Sequence, residues 1–391
     1  MINSLYPPIR FGGAEQSVAL LAEALARAGD EIHVATLHRE SVETVAVQEG
    51  VTVHRLPLDN LYWAWPVGRR PVWQKLRWHA RERWNGLAAA RVERLIERVQ
   101  PDVVHGQLLT GFGPALWPMI AARGLPLVQT IRDYSLICAR AALFRRGRVC
   151  VRRCPGCRVL TSPSARDSRR VDALIGNSDF LIDAHRRAGR FAGVSSQRVF
   201  NIVPVDAGDP GPAHNGPLRF GFLGRIEPEK GIEVLLEALP RIGRADWRLS
   251  IGGVGEPDYV ADLRRRHRDR RIEWLGRVDA GDFIRSIDVM IVPSLWPEPL
   301  PRTMIEGIAF GRSIIAARSG GIGEAAGFAP RIALYRADDP DALAQAMRGA
   351  IDHPGAWRPP GTRPPALAEE FSVAAAVAAH HAVYRRLLDR S

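Results

Sequence analysis

The chain alternates between two hydrophobic spacings. Short blocks rich in apolar residues, "EIHVATL" (31–37), "VTVHRLPL" (51–58), "DVVHG" (102–106), "LPLVQTI" (125–131) and "ALIGNS" (173–178), look like buried parallel strands. Helical spacing fills the intervals. It is clearest from Glu15 to Gly29, where Val18, Leu21, Ala22 and Leu25 share one face and a glycine marks the stop. A second series follows: "LRFGFLG" (218–224), "WRLSIGG" (247–253), "IEWLG" (272–276), "VMIVPS" (289–294), "SIIAAR" (313–318) and "IALYR" (332–336). Strands alternating with helices, twice over, predict an α/β chain with two doubly wound parallel-sheet domains. The seam is "VPVDAGDPGPAHNGP" (203–217), rich in Pro, Gly and Asp. The pattern thus predicts domains at 1–202 and 203–370, then one amphipathic helix at 371–391 beyond a proline-rich loop at Pro359–Pro365. Ligands of open parallel sheets bind beyond the strands' carboxyl ends, so a cleft between two such sheets is expected. "MINSLYPP" leaves only a stub for a first strand: either that strand is short or the true start lies upstream of Met1.

Composition narrows the class. A chain of 391 residues suits two cores, and 46% hydrophobic with 25% charged residues is globular. The longest apolar runs are too short to cross a bilayer and no export signal is visible, so a cytoplasmic protein is expected. The net charge of +12 is uneven. Residues 1–200 carry 29 Lys+Arg against 17 Asp+Glu, which is +12; residues 201–391 carry 25 against 25, which is zero. Nearly all the cations are arginine, the only lysines being Lys75 and Lys230. A basic half suits nucleic acid, an anionic membrane surface or a phosphorylated substrate. No nucleic-acid module signature is present, and nucleic acid is set aside as a partner.

Candidate chemistry clusters at strand ends. Gly12 and Gly13 stand between the strand stub and the first helix, where backbone N–H groups can approach an anion. "FLGRIEPEKGIEVLLEAL" (222–239) repeats the arrangement with Arg225 and Lys230 in the loop. Two cations beside a helix N-terminus suit a diphosphate, though solvated loop charge gives the same pattern. After "VMIVPS" comes "LWPEPLPRTMIEGIAFG". It sets Glu298 in a proline-rich turn, offers backbone N–H groups around Leu300, Arg302 and Thr303, and places Glu306 inside the next helix. Carboxylates at these places suit sugar and ribose hydroxyls; acidic residues near a helix start also occur for the dipole alone.

Two segments fall outside this scheme. Cys138, Cys150, Cys154 and Cys157 lie within twenty residues, in a loop at 138–157. Their number and the terminal C-x2-C fit structural zinc; redox-active or unligated thiols are the alternatives. Residues 62–84, within an insertion at 60–85, hold five tryptophans among arginines, the composition either of an interfacial membrane segment or of a packed insertion.

Taken together, "YPPIRFGGAEQSVALLAEALARAG", "GRIEPEKGIEVLLEAL", "PSLWPEPLPRTMIEGIAFGRSIIAARSGGIGE" and "FSVAAAVAAHHAVYRRLL" resemble the family 4 glycosyltransferases over essentially the whole chain. The resemblance implies the GT-B fold, two Rossmann-like domains facing a cleft with a last helix crossing back to the first. It implies a retaining transfer from a nucleoside-diphosphate sugar to a glycan or lipid-linked acceptor, in polysaccharide or surface glycan synthesis, with no cofactor required for catalysis. Peripheral contact with the inner membrane face would suit a lipid-linked acceptor. Position by position it implies that Arg225 and Lys230 hold the diphosphate, Glu306 the ribose and Glu298 the donor sugar, with Gly12 and Gly13 approaching the donor. Arg225, Lys230 and Glu298 would carry catalysis, through a front-face route in which the departing phosphate oxygen takes the acceptor proton. The chain departs from the family at three places. Arg132 stands where a histidine is usual, "HGQLLTG" keeps only His105 of a histidine-rich turn, and "EPLPR" replaces a glycine-containing turn. Arg132 can contact a phosphate or acidic sugar, or pair structurally with Asp133. The other readings are a sugar-nucleotide epimerase of the same architecture and a catalytically degenerate binding subunit.

Overall fold

The protein is described from a computed structural model covering all residues except 10–12, 66–69, 203–215, 244–245, 360–369 and 391. It divides into two compact units. The first comprises residues 1–143, 151–202 and 373–391; the second comprises residues 144–150 and 203–372.

In the first unit β1 (Ile32–His38) pairs in parallel with β3 (Val51–Pro57), and β2 (Thr44–Gln48) adds antiparallel to β3 at the edge. A parallel run of β4 (Val104–Gly106), β5 (Leu127–Ile131), β8 (Ala173–Gly176) and β9 (Ser195–Arg198) forms the other half. The stub joins them, because Ile2 bridges in parallel to both Ala35 of β1 and Gly106 of β4. All residues of β5 and β8 are buried, as the unbroken apolar pattern requires. The two strands without a sequence signal are edge strands: β2 exposes Val45 and Val47, and β9 reads SSQR, with no apolar residue.

The C-terminal helix, Val373–Leu388, belongs to this unit. Ala376 joins Leu21, Leu25 and Ile202 in one cluster, and Val383 and Leu387 join Val128, Ala173 and Ile175 in another. Its Tyr384 hydroxyl meets His105 Nδ1 at 2.7 Å, while His105 Nε2 meets Thr130 Oγ1 at 2.7 Å. Burial, with His380 and Arg132 nearby, holds His105 well below its usual pKa, so the ring is neutral. The histidine left at 105 therefore ties the last helix to β4 and β5.

The hairpin β6 (Phe144–Arg145) and β7 (Arg148–Val149) is followed by the second unit's main sheet. That sheet contains β10 (Leu218–Leu223), β11 (Trp247–Gly252), β12 (Ile272–Gly276), β13 (Val289–Val292), β14 (Ser313–Ala317) and β15 (Ile332–Tyr335). Its order is β12-β11-β10-β13-β14-β15, every pairing parallel. This is the doubly wound order, in which the direction of strand addition reverses between the first and fourth strands. Phe220, Leu249, Ile291 and Ile315 of the sheet are buried against Leu235, Leu343 and Met347 of covering helices. Among the described residues no helix is long and apolar enough to cross a membrane.

Candidate functional site

The second sheet's switch point lies between β10 and β13, and the carboxyl ends of those strands carry the predicted polar residues. After β10 the chain passes Arg225, makes a single turn at Pro228–Lys230, and enters a helix at Ile232. After β13 it passes Ser294 and Glu298 before the helix Arg302–Ala309. Backbone bonds join the two loops: Leu295 N and Trp296 N both donate to Glu229 O, at 2.9 and 3.2 Å. Gly231 makes the approach possible. It adopts φ +70°, and a Cβ there would stand 1.9 Å from Pro293 O. Only glycine fits.

This seam sets Lys230 Nζ 2.7 Å from Glu298 Oε1 and 4.9 Å from the centroid of Trp296. Ser294 Oγ donates to the same carboxylate oxygen at 2.7 Å. Glu298 is 3% exposed. A carboxylate so far from water needs a cation and donors at once, and Lys230 and Ser294 supply them. A third loop, following β14, holds the backbone of Glu298, whose carbonyl accepts from Gly321 N at 2.7 Å. Ser319 Oγ donates to Trp296 O at 2.5 Å.

Arg225 is half exposed and donates through Nη1 to Glu227 Oε1 at 2.8 Å. Glu227 feels Arg225 and Lys230 together, but burial, the larger effect, pushes its carboxyl above the ordinary range. On the helix Arg302–Ala309, Arg302 Nε donates to Glu306 Oε1 at 2.7 Å, both side chains being largely buried. A cation at the first helical position opposes the helix dipole, and no side chain caps this N-terminus at Pro301. Leu300 is buried and Thr303 half-buried beside it.

The remaining predicted residues sit elsewhere. Gly13 opens the helix Gly13–Arg27 of the first unit; Gly12 lies outside the described residues. Arg132 follows β5 and is buried, with the neutral side chains of Gln107 (Nε to Oε1, 3.2 Å) and Asn201 as partners; burial lowers its pKa to about 10. Asp133 instead accepts from Ser135 N at 2.8 Å, and among the described residues no ion pair joins it to Arg132. Among the described residues no group of three or more His, Cys, Asp or Glu side chains is gathered to hold a metal ion. The sulfurs of Cys138 and Cys157 are 4.0 Å apart; Cys154 Sγ caps its own helix by accepting from Cys157 N at 3.5 Å, and Cys150 follows β7.

Sequence reasoning did not single out Ser294, Trp296, Glu227 or the Gly320–Gly321 turn. Ser294 and Trp296 lie inside the quoted motif, but their partners are in other loops, which spacing does not reveal. The pair of glycines after β14 was the one readable signal for a close backbone approach.

The first unit holds one further perturbed carboxyl. Glu82 Oε1 accepts from Gly111 N at 2.9 Å, and burial pushes its pKa up to about 8. A folded pKa above the unfolded value of about 4.3 favours the fold at low pH and loses that contribution as pH rises toward 8. Glu82→Gln is therefore expected to melt like the wild type near pH 4 and above it at pH 8, measured by paired melting curves.

Comparison with known proteins agrees with this architecture. The family model described as "Glycosyltransferase Family 4" matches residues 11–200, and "Glycosyl transferases group 1" matches residues 217–353. A Klebsiella pneumoniae protein described as an "Uncharacterized 42.6 kDa protein in cps region" is 29% identical over 85% of this chain and 88% of its own. A glycogen synthase of Mycobacterium tuberculosis is 28% identical over 91% and 86%. Among solved structures, sucrose-phosphate synthase from Thermosynechococcus elongatus superposes with a TM-score of 0.75 at 18% identity, covering 97% of this chain and 94% of that one. Anabaena Alr3699/HepE in complex with UDP gives 0.72 at 17%, covering 98% and 99%.

Proposed function

The chain belongs to the group 1 and family 4 glycosyltransferases, with the GT-B fold, and on that premise we propose that it is a retaining enzyme using a nucleoside-diphosphate sugar. The acceptor is a glycan or a lipid-linked saccharide, and the product a polysaccharide or other surface glycan. The enzyme works in the cytoplasm, peripheral to the inner membrane face. The observation that carries the reading is the Lys230–Glu298 pair at 2.7 Å, built by two loops at the second sheet's switch point.

In this reading the donor's diphosphate lies against Arg225, Lys230 and the uncapped start of the helix Arg302–Ala309. Glu306, released in part from Arg302, accepts from the ribose hydroxyls, and Glu298 accepts from the sugar. The bond from the anomeric carbon to the diphosphate oxygen breaks, and the acceptor hydroxyl oxygen bonds to that carbon on the same face. The acceptor proton passes to the departing phosphate oxygen, which leaves as nucleoside diphosphate. The protein's contribution is orientation and preplaced positive charge. No cofactor enters the reaction. Support for the donor class comes from the neighbouring Anabaena protein, solved with UDP and with UDP-glucose.

A thermal-shift panel of nucleoside diphosphates and their sugars tests the donor. At about 100 times its Kd a ligand stabilises the fold by about 2.7 kcal/mol. A panel without any shift overturns the reading. Glu306→Ala is expected to weaken nucleotide binding about tenfold to a hundredfold, the worth of a hydrogen bond to a charged acceptor, with melting little changed. Calorimetry giving equal affinities would remove Glu306 from the ribose.

A further inference from the structure

The helix Val72–Glu82 in the first unit is built inside out. Its only buried residue is Trp78, which donates Nε1–H to Tyr62 O at 3.1 Å, while Asn60 Nδ2 donates to Trp78 O at 3.2 Å. At 100° per residue, Trp73, Leu76 and Ala80 fall within about 60° of arc, roughly opposite Trp78. That face points outward. Val72 is 73% exposed, Trp73 56% and Leu76 53%. Trp84 and Leu87, just beyond the helix, are exposed as well.

A helix packed on a soluble core turns its apolar stripe inward, and scattered single exposures need no explanation. A continuous exposed stripe does. Its charge setting is one-sided. Residues 60–92 carry seven Lys+Arg against one acid, Glu82, whose carboxylate faces inward to Gly111 N. Arg77 lies over the exposed Trp73 ring at 5.3 Å and Arg70 over Tyr62 at 4.5 Å. Protruding tryptophan and leucine edged by cations match the boundary between lipid headgroups and acyl chains. A second copy of this chain matches poorly, since a two-fold contact would set the same cations against one another.

We infer that the outward face of the helix Val72–Glu82 docks on an anionic lipid bilayer. Trp73, Leu76 and Trp84 enter the headgroup boundary, while Lys75, Arg77 and Arg81 meet lipid phosphates. The inference gives the peripheral location proposed above a definite surface, and it does not rest on the transfer chemistry.

The test is sedimentation of the full chain with vesicles, in the absence of sugar nucleotide, so that its failure is distinct from failure of the enzymatic reading. Vesicles of phosphatidylcholine containing about three parts in ten phosphatidylglycerol are expected to bind the wild type; pure phosphatidylcholine is not. Arg77→Gln with Arg81→Gln should lower partitioning about 25-fold, at about fivefold per cation. Trp73→Ser with Leu76→Ser should remove it while the melting temperature stays within a degree or two, because these side chains touch solvent. Salt near 1 M should weaken binding of the wild type. Equal binding to both vesicle types, no binding by the wild type, or unchanged binding by the Trp73/Leu76 variant would each overturn the inference. So would a wild-type dimer in ultracentrifugation that the Trp73/Leu76 variant abolishes, since the face would then belong to a second copy.

Discussion

Lys230→Ala is expected to lower kcat by about 10²–10³-fold, the usual cost of removing one preplaced group from developing negative charge. KM for the donor should move less, because the charge on the leaving diphosphate is greatest in the transition state. The residue has a second task, which the test must separate. Lys230 Nζ is 2.7 Å from a carboxylate that is 3% exposed, and without it Glu298 keeps Ser294 but loses its cation. Removing one partner of a fully buried pair costs about 3–5 kcal/mol. Here the lysine side chain is 20% exposed, which lets water in and reduces the cost. Lys230→Ala with Glu298→Gln removes both charges and should melt closer to the wild type while recovering no activity. Turnover retained in the single variant would take Lys230 out of the transfer step. Loss of activity that the double variant repairs would make the pair structural.

The contrast between Lys230 and its partners shows what a sequence can disclose. Lysine is rare in this chain, its position after an apolar block is visible, and the helix beyond it has clear spacing, so Lys230 stands out without any coordinates. That it lies against Glu298, sixty-eight residues later, is set by sheet order. Strands β10 and β13 are neighbours because the doubly wound connection reverses there, and no local pattern encodes that adjacency. The six strands of the second sheet were all readable: β13 and β14 are buried on both faces and leave unbroken apolar blocks, and the others keep apolar residues at alternate positions, as in the IEWLG of β12. Strands β2 and β9 were not, because edge strands bury little and β9 offers only SSQR. Arg132 shows a different limit. Its neighbour in sequence, Asp133, was one of two partners the sequence left open, yet a residue at a strand end can turn either way, and Arg132 goes to Gln107 and Asn201. The cysteines show a third: four thiols within twenty residues satisfy a ligand count, but convergence on one centre depends on side-chain directions that spacing does not fix.

The glycine turn after β14 carries the other large effect. Gly320 adopts φ +61°, and a Cβ there would stand 2.0 Å from Glu298 O and 2.5 Å from Glu298 N. The left-handed conformation alone disfavours any L side chain. The clash is with backbone, which has no rotamer to escape into, so either the turn or the residue carrying the buried carboxylate must move. Gly320→Ala is therefore expected to destabilise the protein by about 2–4 kcal/mol, in the range of strained special-conformation sites. It should also reduce donor turnover, since Gly321 N holds the Glu298 carbonyl at 2.7 Å and the shift passes directly to the site. The control lies three residues on: a Cβ at Gly323, in the same stretch of 3-10 helix, would meet nothing within 4 Å. Gly323→Ala should melt and turn over like the wild type. If the two variants behave alike in urea titration and in donor kinetics, the backbone of this turn does not position Glu298, and its carboxylate owes its place to Lys230 and Ser294 alone.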